Sequence, residues 1–225
     1  MRRHRSFLTL DANGVLLAIA LGVMILFFGR NYGLIFLLEL FLFLLLSALV
    51  TNFGRVKKEG IGVYEAARGW RNVLSNGSVP VMAAFVYFLN ASFSFMPNSQ
   101  LAMIYVAGVC AITADKFASE IGILNGYPLM LLTMKKVQKG VSGGVTLLGI
   151  GASLLGAAII AASSLFLSVP LTYVIVACAS GFIGNLVDSI FGFLEEQGIG
   201  NKYTSNFACA LAASIVCLLI LRSFP

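Results

Sequence analysis

The sequence predicts an all-α fold, a polytopic bundle of about seven transmembrane helices with a cytoplasmic N-terminus. Hydrophobic residues make up 59% of the chain and charged residues only 11%, whereas a soluble domain carries about 25% charged residues. The apolar runs are continuous rather than alternating, which favours helices over the strands of a membrane barrel. Because little polar sequence separates these runs, we expect one membrane-embedded domain over residues 1–225.

Seven apolar segments follow one another along the chain. A helix needs about 20 residues to cross the hydrocarbon core, and most of the segments approach this length. The first segment has no small-residue cleavage motif after its apolar run, so we interpret it as an uncleaved span. The predicted spans are residues 13–29, 31–51, 79–95, 100–115, 144–167, 169–191 and 206–222.

Basic residues predict the orientation of the bundle. With the N-terminus inside, thirteen of the fifteen lysines and arginines, among them Arg2, Arg3 and Arg5, fall in inner regions, as the positive-inside rule requires. Three polar loops, residues 52–78, 116–143 and 192–205, are then predicted to face the cytoplasm, where nucleotides and Mg²⁺ are found. A prokaryotic chain would lie in the cell membrane. Topology and contact with the lipid bilayer account for the basic charge, and no nucleic-acid partner is predicted.

Several kinds of site are disfavoured by composition. The only histidine, His4, lies in the basic N-terminal tail, which argues against a histidine general base and a zinc site. The four cysteines lie in apolar runs without CxxC spacing, so they are interpreted as small hydrophobic residues: Cys110, Cys178, Cys209 and Cys217.

The first inner loop is rich in hydrogen-bond donors. Residues 65–72 could form a short interfacial helix, with Asn76-Gly77 as a turn before the third span. A lipid-facing anchor helix is one interpretation. The other is a phosphate or substrate site formed by Arg68, Arg71, Asn72 and Asn76, and the donor capacity favours it.

The fourth span carries small residues on one face, which in a membrane bundle is the packing face: Ala107, Ala111, Asp115 and Ser119. Asp115 is therefore expected to point into the bundle at its cytoplasmic end. Glu120 lies about 140° from Asp115 on a continuous helix, so the two can share a metal only if the helix breaks or the ion sits at its end. A simple pair between Lys116 and Glu120 remains the alternative for Glu120.

A glycine-rich run follows Lys139 and leads into the fifth predicted span. Glycines at a helix start let backbone N–H groups approach an anion, although such a run is weak support by itself. We predict a phosphate loop formed by Lys139, Gly140, Ser142, Gly143 and Gly144. The row that continues along the fifth span is interpreted as helix packing: Gly149, Ser153, Ala157 and Ala161.

The sixth span places a second aspartate on a small-residue seam made of Ser180, Gly184, Asp188 and Gly192. Asn185 and Ser189 lie one position further round the helix. Two carboxylates at the inner ends of two spans are suitable ligands for a Mg²⁺ ion that also binds substrate phosphates. The pattern therefore predicts a site that Asp115 and Asp188 share.

These motifs, in this order, resemble the integral membrane family that includes the phytyl-phosphate kinase of vitamin E synthesis, and more distantly the CTP-dependent phytol and dolichol kinases. The resemblance runs from about residue 50 to 207. It rests on Arg68-Gly-Trp70-Arg71-Asn72-Val-Leu-Ser-Asn76-Gly77, Ala114-Asp115-x-x-Ala118-Ser119-Glu120-Ile-Gly122, Lys139-Gly-Val-Ser142-Gly143-Gly144-Val-x-x-x-Gly149 and Asp188-Ser189-x-x-Gly192. Lys116 departs from the threonine that is frequent after the motif aspartate.

The resemblance implies Mg²⁺-dependent transfer of the terminal phosphoryl group of CTP, or another nucleoside triphosphate, to an isoprenoid monophosphate. Asp115, Asp188 and Glu120 are expected at the metal, with Lys139 and the glycine-rich loop on the nucleotide phosphates. Ser119, Asn185 and Ser189 are assigned to the same nucleotide and metal site, and Arg68, Arg71, Asn72 and Asn76 to the acceptor phosphate.

Other functions and assemblies remain open from sequence. An ion- or substrate-coupled transporter is the main alternative, since carboxylates on small-residue seams also serve ion pathways. A lipid-headgroup transferase is a third hypothesis. The sequence does not decide whether the protein forms homo-oligomers.

Overall fold

The computed structural model describes residues 9–65 and 67–223, which form eight α-helices. The basic tail residues Arg2, Arg3, His4 and Arg5 lie outside the described residues. A two-stranded antiparallel ribbon pairs β1 (Leu129–Met130) with β2 (Gly144–Val145). The helices are α1 (Ala12–Phe28), α2 (Gly33–Asn52), α3 (Arg55–Gly60), α4 (Trp70–Phe93), α5 (Asn98–Gly122), α6 (Leu147–Ser163), α7 (Leu171–Glu196) and α8 (Lys202–Leu221).

The predicted all-α membrane bundle is confirmed. Six of the described helices, α2 and α4 to α8, are long and apolar enough to cross a membrane, with short 3₁₀ turns extending α2 and α6. Each predicted apolar segment corresponds to one helix. The first of them, α1, is apolar but has only 17 residues, which is short of the usual spanning length.

Helix α5 forms the centre of the bundle and packs against α2, α4, α6, α7 and α8. Of its predicted packing face, Ala107 and Ala111 are fully buried, Asp115 is half-buried and Ser119 is exposed. The residues between the two alanines are also buried, so the middle of α5 is enclosed on all sides rather than along one face. Helix α7 approaches it closely through glycine: a Cβ added at Gly181 would lie 3.0 Å from the backbone carbon of Cys110. This close approach is what brings the carboxyl-terminal halves of α5 and α7 together.

The predicted packing row of α6 is also confirmed. Gly149, Ser153, Ala157 and Ala161 are all buried. A Cβ at Gly149 would lie 3.1 Å from the carbonyl oxygen of Ala118 on α5, so small residues are required along this contact.

The predicted interfacial helix over residues 65–72 is wrong. The main-chain N–H of Arg68 instead donates to the carbonyl of Thr9 at 2.8 Å, and that of Asp11 donates to the carbonyl of Arg68 at 3.1 Å. These bonds hold the chain extended until α4 begins at Trp70. The predicted Asn76-Gly77 turn is also wrong, because both residues lie buried inside α4.

Helix α6, which corresponds to the fifth predicted span, begins at Leu147 rather than at Gly144. The Thr146 hydroxyl caps it by accepting the Gly149 N–H at 3.0 Å. The glycine-rich run is therefore a separate turn and not a helix N-terminus. Gly140 and Gly143 take φ values of +94° and +76°, which glycine adopts without steric cost. A Cβ at Gly143 would lie 2.5 Å from the Ser189 carbonyl oxygen, so the turn packs directly on α7.

Candidate active site

A polar cavity of about 590 Å³ opens at one end of the bundle, a size typical of ligand sites. Helices α4, α6 and α8 begin at this end, and α5 and α7 finish there. Nearly all of the sequence-predicted site residues line it: Arg68, Asn72, Asn76, Asp115, Ser119, Glu120, Gly140, Ser142, Gly143, Gly144, Asn185, Asp188 and Ser189.

Two predicted residues, Lys139 and Arg71, are not among the residues that line the cavity. The guanidinium of Arg71 lies 5.5 Å from the ring centre of Trp70, and both side chains are exposed. Asn72 and Asn76 are four residues apart on α4 and both face the cavity, whereas Arg71 is exposed on another face of the helix. The structure therefore does not support the predicted roles of Lys139 at the nucleotide phosphates and of Arg71 at the acceptor phosphate.

The Asp115 and Asp188 side chains are in direct contact inside the cavity, with Ser205 of α8 beside Asp188. Both residues are half-buried, and the Oδ1 atom of Asp188 has no hydrogen-bond partner within the described chain. Two buried carboxylates repel each other unless a proton or a cation lies between them. The pair predicted from two small-residue seams is thus formed, and one of its oxygens, Asp188 Oδ1, is buried without a hydrogen-bond partner among the described residues.

Glu120 does not join this pair. Its carboxylate accepts hydrogen bonds from Lys58 Nζ at 2.7 Å and Arg68 Nη2 at 2.8 Å, and also pairs with Lys116. The Thr51 hydroxyl donates to it as well, at 3.1 Å. Helix α5 continues unbroken past Asp115 to Gly122, which keeps Glu120 on another face. The assignment of Glu120 as a metal ligand is therefore corrected, and the Lys116–Glu120 pair is present.

Within the described residues, no group of three or more His, Cys, Asp or Glu side chains is arranged to hold a metal ion. The predicted set of three carboxylates is reduced to Asp115 and Asp188. A two-carboxylate set still suits Mg²⁺, which keeps several waters and takes its other ligands from substrate phosphates.

Lys58 is a site residue that the sequence analysis missed. Only 1% of it is exposed, and its ammonium also donates to the carbonyls of Val50 and Thr51 at 2.7 and 3.1 Å. Those carbonyls end α2 and have no intrahelical partner. Lys58 therefore joins the end of α2 to Glu120 of α5. Only the tertiary fold singles it out from its exposed neighbour Lys57.

The amide side chains form a second wall. Asn76 donates to the Asn72 carbonyl at 2.8 Å, and Asn206 of α8 approaches the Ser75 hydroxyl at 3.5 Å. On the facing helix, the Ser189 hydroxyl donates to the Asn185 carbonyl at 3.2 Å. The Asn206–Ser75 contact joins α8 to α4, whereas the other two bonds satisfy polar groups within α4 and within α7.

The glycine-rich turn presents a backbone donor whose present partner is an acid. The N–H of Ser142 donates to Glu196 Oε1 at 2.9 Å, and Glu196 is exposed. Lys202, at the start of α8, lines the cavity and pairs with exposed Glu65 at 3.0 Å. Both contacts are carboxylate interactions at the solvent side, which a phosphate oxygen can replace.

Glu39 was also missed. It is the one charged residue of α2 and only 2% exposed; its Oε1 accepts from Ser163 at 3.3 Å, and its Oε2 has no partner among the described residues. A carboxylate within an apolar span is a recognisable signal of a functional position. Its location toward the start of α2 puts it far from the cavity at the other end of that helix.

Comparison with known proteins identifies the family. The family described as "Integral membrane protein DUF92" matches residues 2–219. The chain belongs to the DUF92 family. An uncharacterized membrane protein of Methanocaldococcus jannaschii is similar to this DUF92 protein, with 33% identity over 94% of this chain and 85% of the relative. Protein PGR of Arabidopsis thaliana is 26% identical over 73% of this chain and 64% of its own length. No solved structure matches significantly.

Proposed function

We propose that this DUF92 protein transfers the terminal phosphoryl group of CTP, or another nucleoside triphosphate, to an isoprenoid monophosphate such as phytyl or geranylgeranyl phosphate. One cavity contains the Asp115–Asp188 pair together with Lys58, Arg68, Lys116 and Lys202, and this observation carries the proposal. Phosphoryl transfer depends on positioning and charge neutralisation more than on covalent chemistry by the protein. A carboxylate pair beside several cations supplies both.

The carboxylate pair is the place for Mg²⁺. The oxygens of Asp115 and Asp188 are the hard ligands that this ion takes, and the unpartnered Oδ1 of Asp188 is one such oxygen. When bound, the ion would neutralise charge on the nucleotide phosphates. The sequence resemblance to isoprenoid-phosphate kinases assigns the same two aspartates to this role.

The remaining wall residues suit the two phosphate groups. Arg68, Asn72 and Asn76 are placed to orient the acceptor phosphate. The Ser142 N–H and Lys202 are placed on the nucleotide side, where Glu196 and Glu65 are the exposed partners to be displaced. An oxygen of the acceptor phosphate attacks the terminal phosphorus of the nucleoside triphosphate. The bond between this phosphorus and the bridging oxygen breaks, and the nucleoside diphosphate leaves. The attacking phosphate is already ionised, so no general base is required.

The cavity is proposed to open to the cytoplasm. Apart from the undescribed tail residues, most lysines and arginines lie in the segments around the cavity end, whereas Arg30 and Arg222 lie at the opposite end. This asymmetry favours the cytoplasmic side for the site.

The decisive assay uses the purified full chain in lipid with Mg²⁺, labelled CTP, ATP or GTP, and geranylgeranyl or phytyl monophosphate. We expect labelled isoprenoid diphosphate with at least one nucleotide. The matched control replaces the monophosphate with the free alcohol, which lacks the acceptor phosphate. No diphosphate with any nucleotide would remove the kinase proposal.

The alternative of an ion- or substrate-coupled transporter is favoured by one observation, buried Glu39 with its unpartnered Oε2. Together with the aspartates at the cavity end, Glu39 would place carboxylates in both halves of the bundle. Glu39→Gln separates the two proposals, because proton- or ion-coupled transport requires the carboxylate and phosphoryl transfer in the cavity does not. Full diphosphate formation in this variant would exclude a catalytic need for Glu39.

A further inference from the structure

We propose that an apolar groove between α1, α2 and α4 binds the first part of the hydrocarbon tail of an isoprenoid phosphate whose head lies in the polar cavity. This inference rests on the proposed function, because it assigns a place to the lipid substrate of that reaction. The groove has a volume of about 110 Å³. Its walls are mostly apolar, with Ala18 and Leu21 from α1 and Leu37, Leu40, Phe41 and Leu44 from α2.

The groove adjoins the polar cavity. Phe43, Arg68, Asn72 and Asn76 line both. Arg68 marks the boundary, because its guanidinium binds Glu120 on the cavity side. This arrangement suits a molecule whose anionic head lies beside Arg68 and whose apolar tail lies among the aliphatic side chains of the groove.

The helix packing explains why a groove lies here. Helix α1 packs against both α2 and α4, whereas α2 and α4 make few contacts with each other. Glycines let α1 lie close to its neighbours: a Cβ at Gly77 of α4 would lie 2.6 Å from Leu21 Cδ1, and one at Gly22 would lie 3.1 Å from Leu37 Cδ1. The space between α2 and α4 is thus lined by α1 rather than filled by side chains.

The groove has the direction that a membrane lipid requires. Its wall on α2 runs from Leu37 to Ser47, which is about 15 Å of helix and roughly half of the hydrocarbon thickness. Phe41 at its rim is 47% exposed on a helix that is a candidate span, so the groove borders the bilayer. A substrate dissolved in the bilayer can enter sideways with its head at the cavity.

The small volume limits how much of a tail the groove can hold. At about 30 Å³ for each water-sized group, a cleft of about 110 Å³ takes about four such groups, which is close to one isoprene unit. The groove therefore receives the part of the tail that lies next to the head, and the rest of a long tail extends into the bilayer that the groove borders.

The test uses the full chain in phosphatidylcholine nanodiscs and geranylgeranyl monophosphate that carries a diazirine on the isoprene unit next to the phosphate. After illumination, labelled peptides are identified by mass spectrometry, with and without excess unlabelled geranylgeranyl monophosphate. The variants are Ala18→Phe, which fills the groove, and Ala20→Phe, a matched control at an exposed position of α1 that does not line the groove. Diphosphate formation is measured on the same preparations.

We expect competable labelling of the groove residues of α1 and α2 in the wild-type protein and in Ala20→Phe, and a roughly tenfold loss in Ala18→Phe because the added ring overpacks the groove. Labelling that is spread over lipid-facing residues, or that unlabelled substrate does not reduce, overturns the groove assignment. The wild-type pattern decides this even if Ala18→Phe fails to fold. If the groove is labelled but no diphosphate forms, the groove assignment is supported and the kinase proposal is removed. If diphosphate forms without groove labelling, the kinase proposal is supported and the groove assignment is removed.

Discussion

At the scale of single residues, Asp115 and Asp188 place two like charges against each other in a membrane protein. The repulsion within such a pair lowers the free energy of unfolding, a cost that is typical of a functional site. Removing one of the two charges relieves the repulsion. Asp115→Asn and Asp188→Asn should therefore each abolish diphosphate formation while the apparent Tm in detergent is maintained or raised. Glu59→Gln, which alters an exposed pair with Arg55, is the control for loss of one negative charge. Retained activity in either aspartate variant removes that residue from the proposed metal site.

Lys58 offers a second test at this scale. Replacing it with methionine leaves two α2 carbonyls without their buried donor, at a cost of about 1–3 kcal/mol each, and removes one of the three cations that pair with Glu120. We expect a large drop in the apparent Tm of Lys58→Met. Its neighbour Lys57, exposed and bonded to the Leu124 carbonyl, should tolerate the same change with a loss below about 1 kcal/mol.

A double-mutant cycle separates the Lys58–Glu120 pair from the other contacts of each residue. Lys58→Met combined with Glu120→Gln should be less destabilised than the sum of the single variants, because both single variants already lose the Lys58–Glu120 contact and the double variant loses it only once. Additive losses would mean that the buried lysine acts only on the α2 carbonyls.

The sequence identified the aspartates but not the lysine, and the difference is physical. Asp115 and Asp188 each continue a four-residue row of small side chains, and such a row faces the bundle whatever the neighbouring helices are. Lys58 lies in a six-residue helix among other basic residues, where nothing local distinguishes a buried ammonium from a solvated one. Its burial depends on where α5 places Glu120.

At the scale of elements, the contact between the glycine-rich turn and α7 carries the next prediction. A Cβ at Gly192 would lie 2.7 Å from Gly143 Cα, so Gly192→Ala should push the turn away from the cavity and reduce activity at least tenfold, with the larger effect on nucleotide KM. Gly151→Ala is the matched control, since nothing lies within 4 Å of its added Cβ and alanine stabilises a helix by about 0.5–1 kcal/mol relative to glycine. Equal activity in both variants would separate the turn from catalysis.

Helix existence could be predicted from hydropathy, but several helix ends could not. Residues 70–78 and 116–122 are polar enough to resemble loops, yet they continue α4 and α5. Their polar side chains are satisfied by facing the cavity or one another, as Asn76 is by the Asn72 carbonyl. These helix ends can be polar because they face a polar cavity. A hydropathy profile therefore assigns them to loops, although they are helical and form the site.

At the scale of the whole molecule, the alternation of helices places the cavity loops at one end and Arg30–Tyr32 at the other. Asn125 and Asn31 are exposed at these opposite ends, so they form a matched pair of positions for cysteine. Of the native cysteines, Cys110, Cys209 and Cys217 are buried and Cys178 is half-buried, and the wild-type chain measures their background labelling.

We expect a membrane-impermeant maleimide to label Asn31→Cys in intact cells and Asn125→Cys only in inverted vesicles or after permeabilisation. The reason is the concentration of basic residues around the cavity end, since positive loops are retained in the cytoplasm. The reverse pattern would place the cavity outside, where nucleoside triphosphates are scarce, and would count against the kinase without altering the helix packing. Labelling of both positions from one side would instead mean that one of the three candidate spans between them, α2, α4 or α5, does not cross the bilayer.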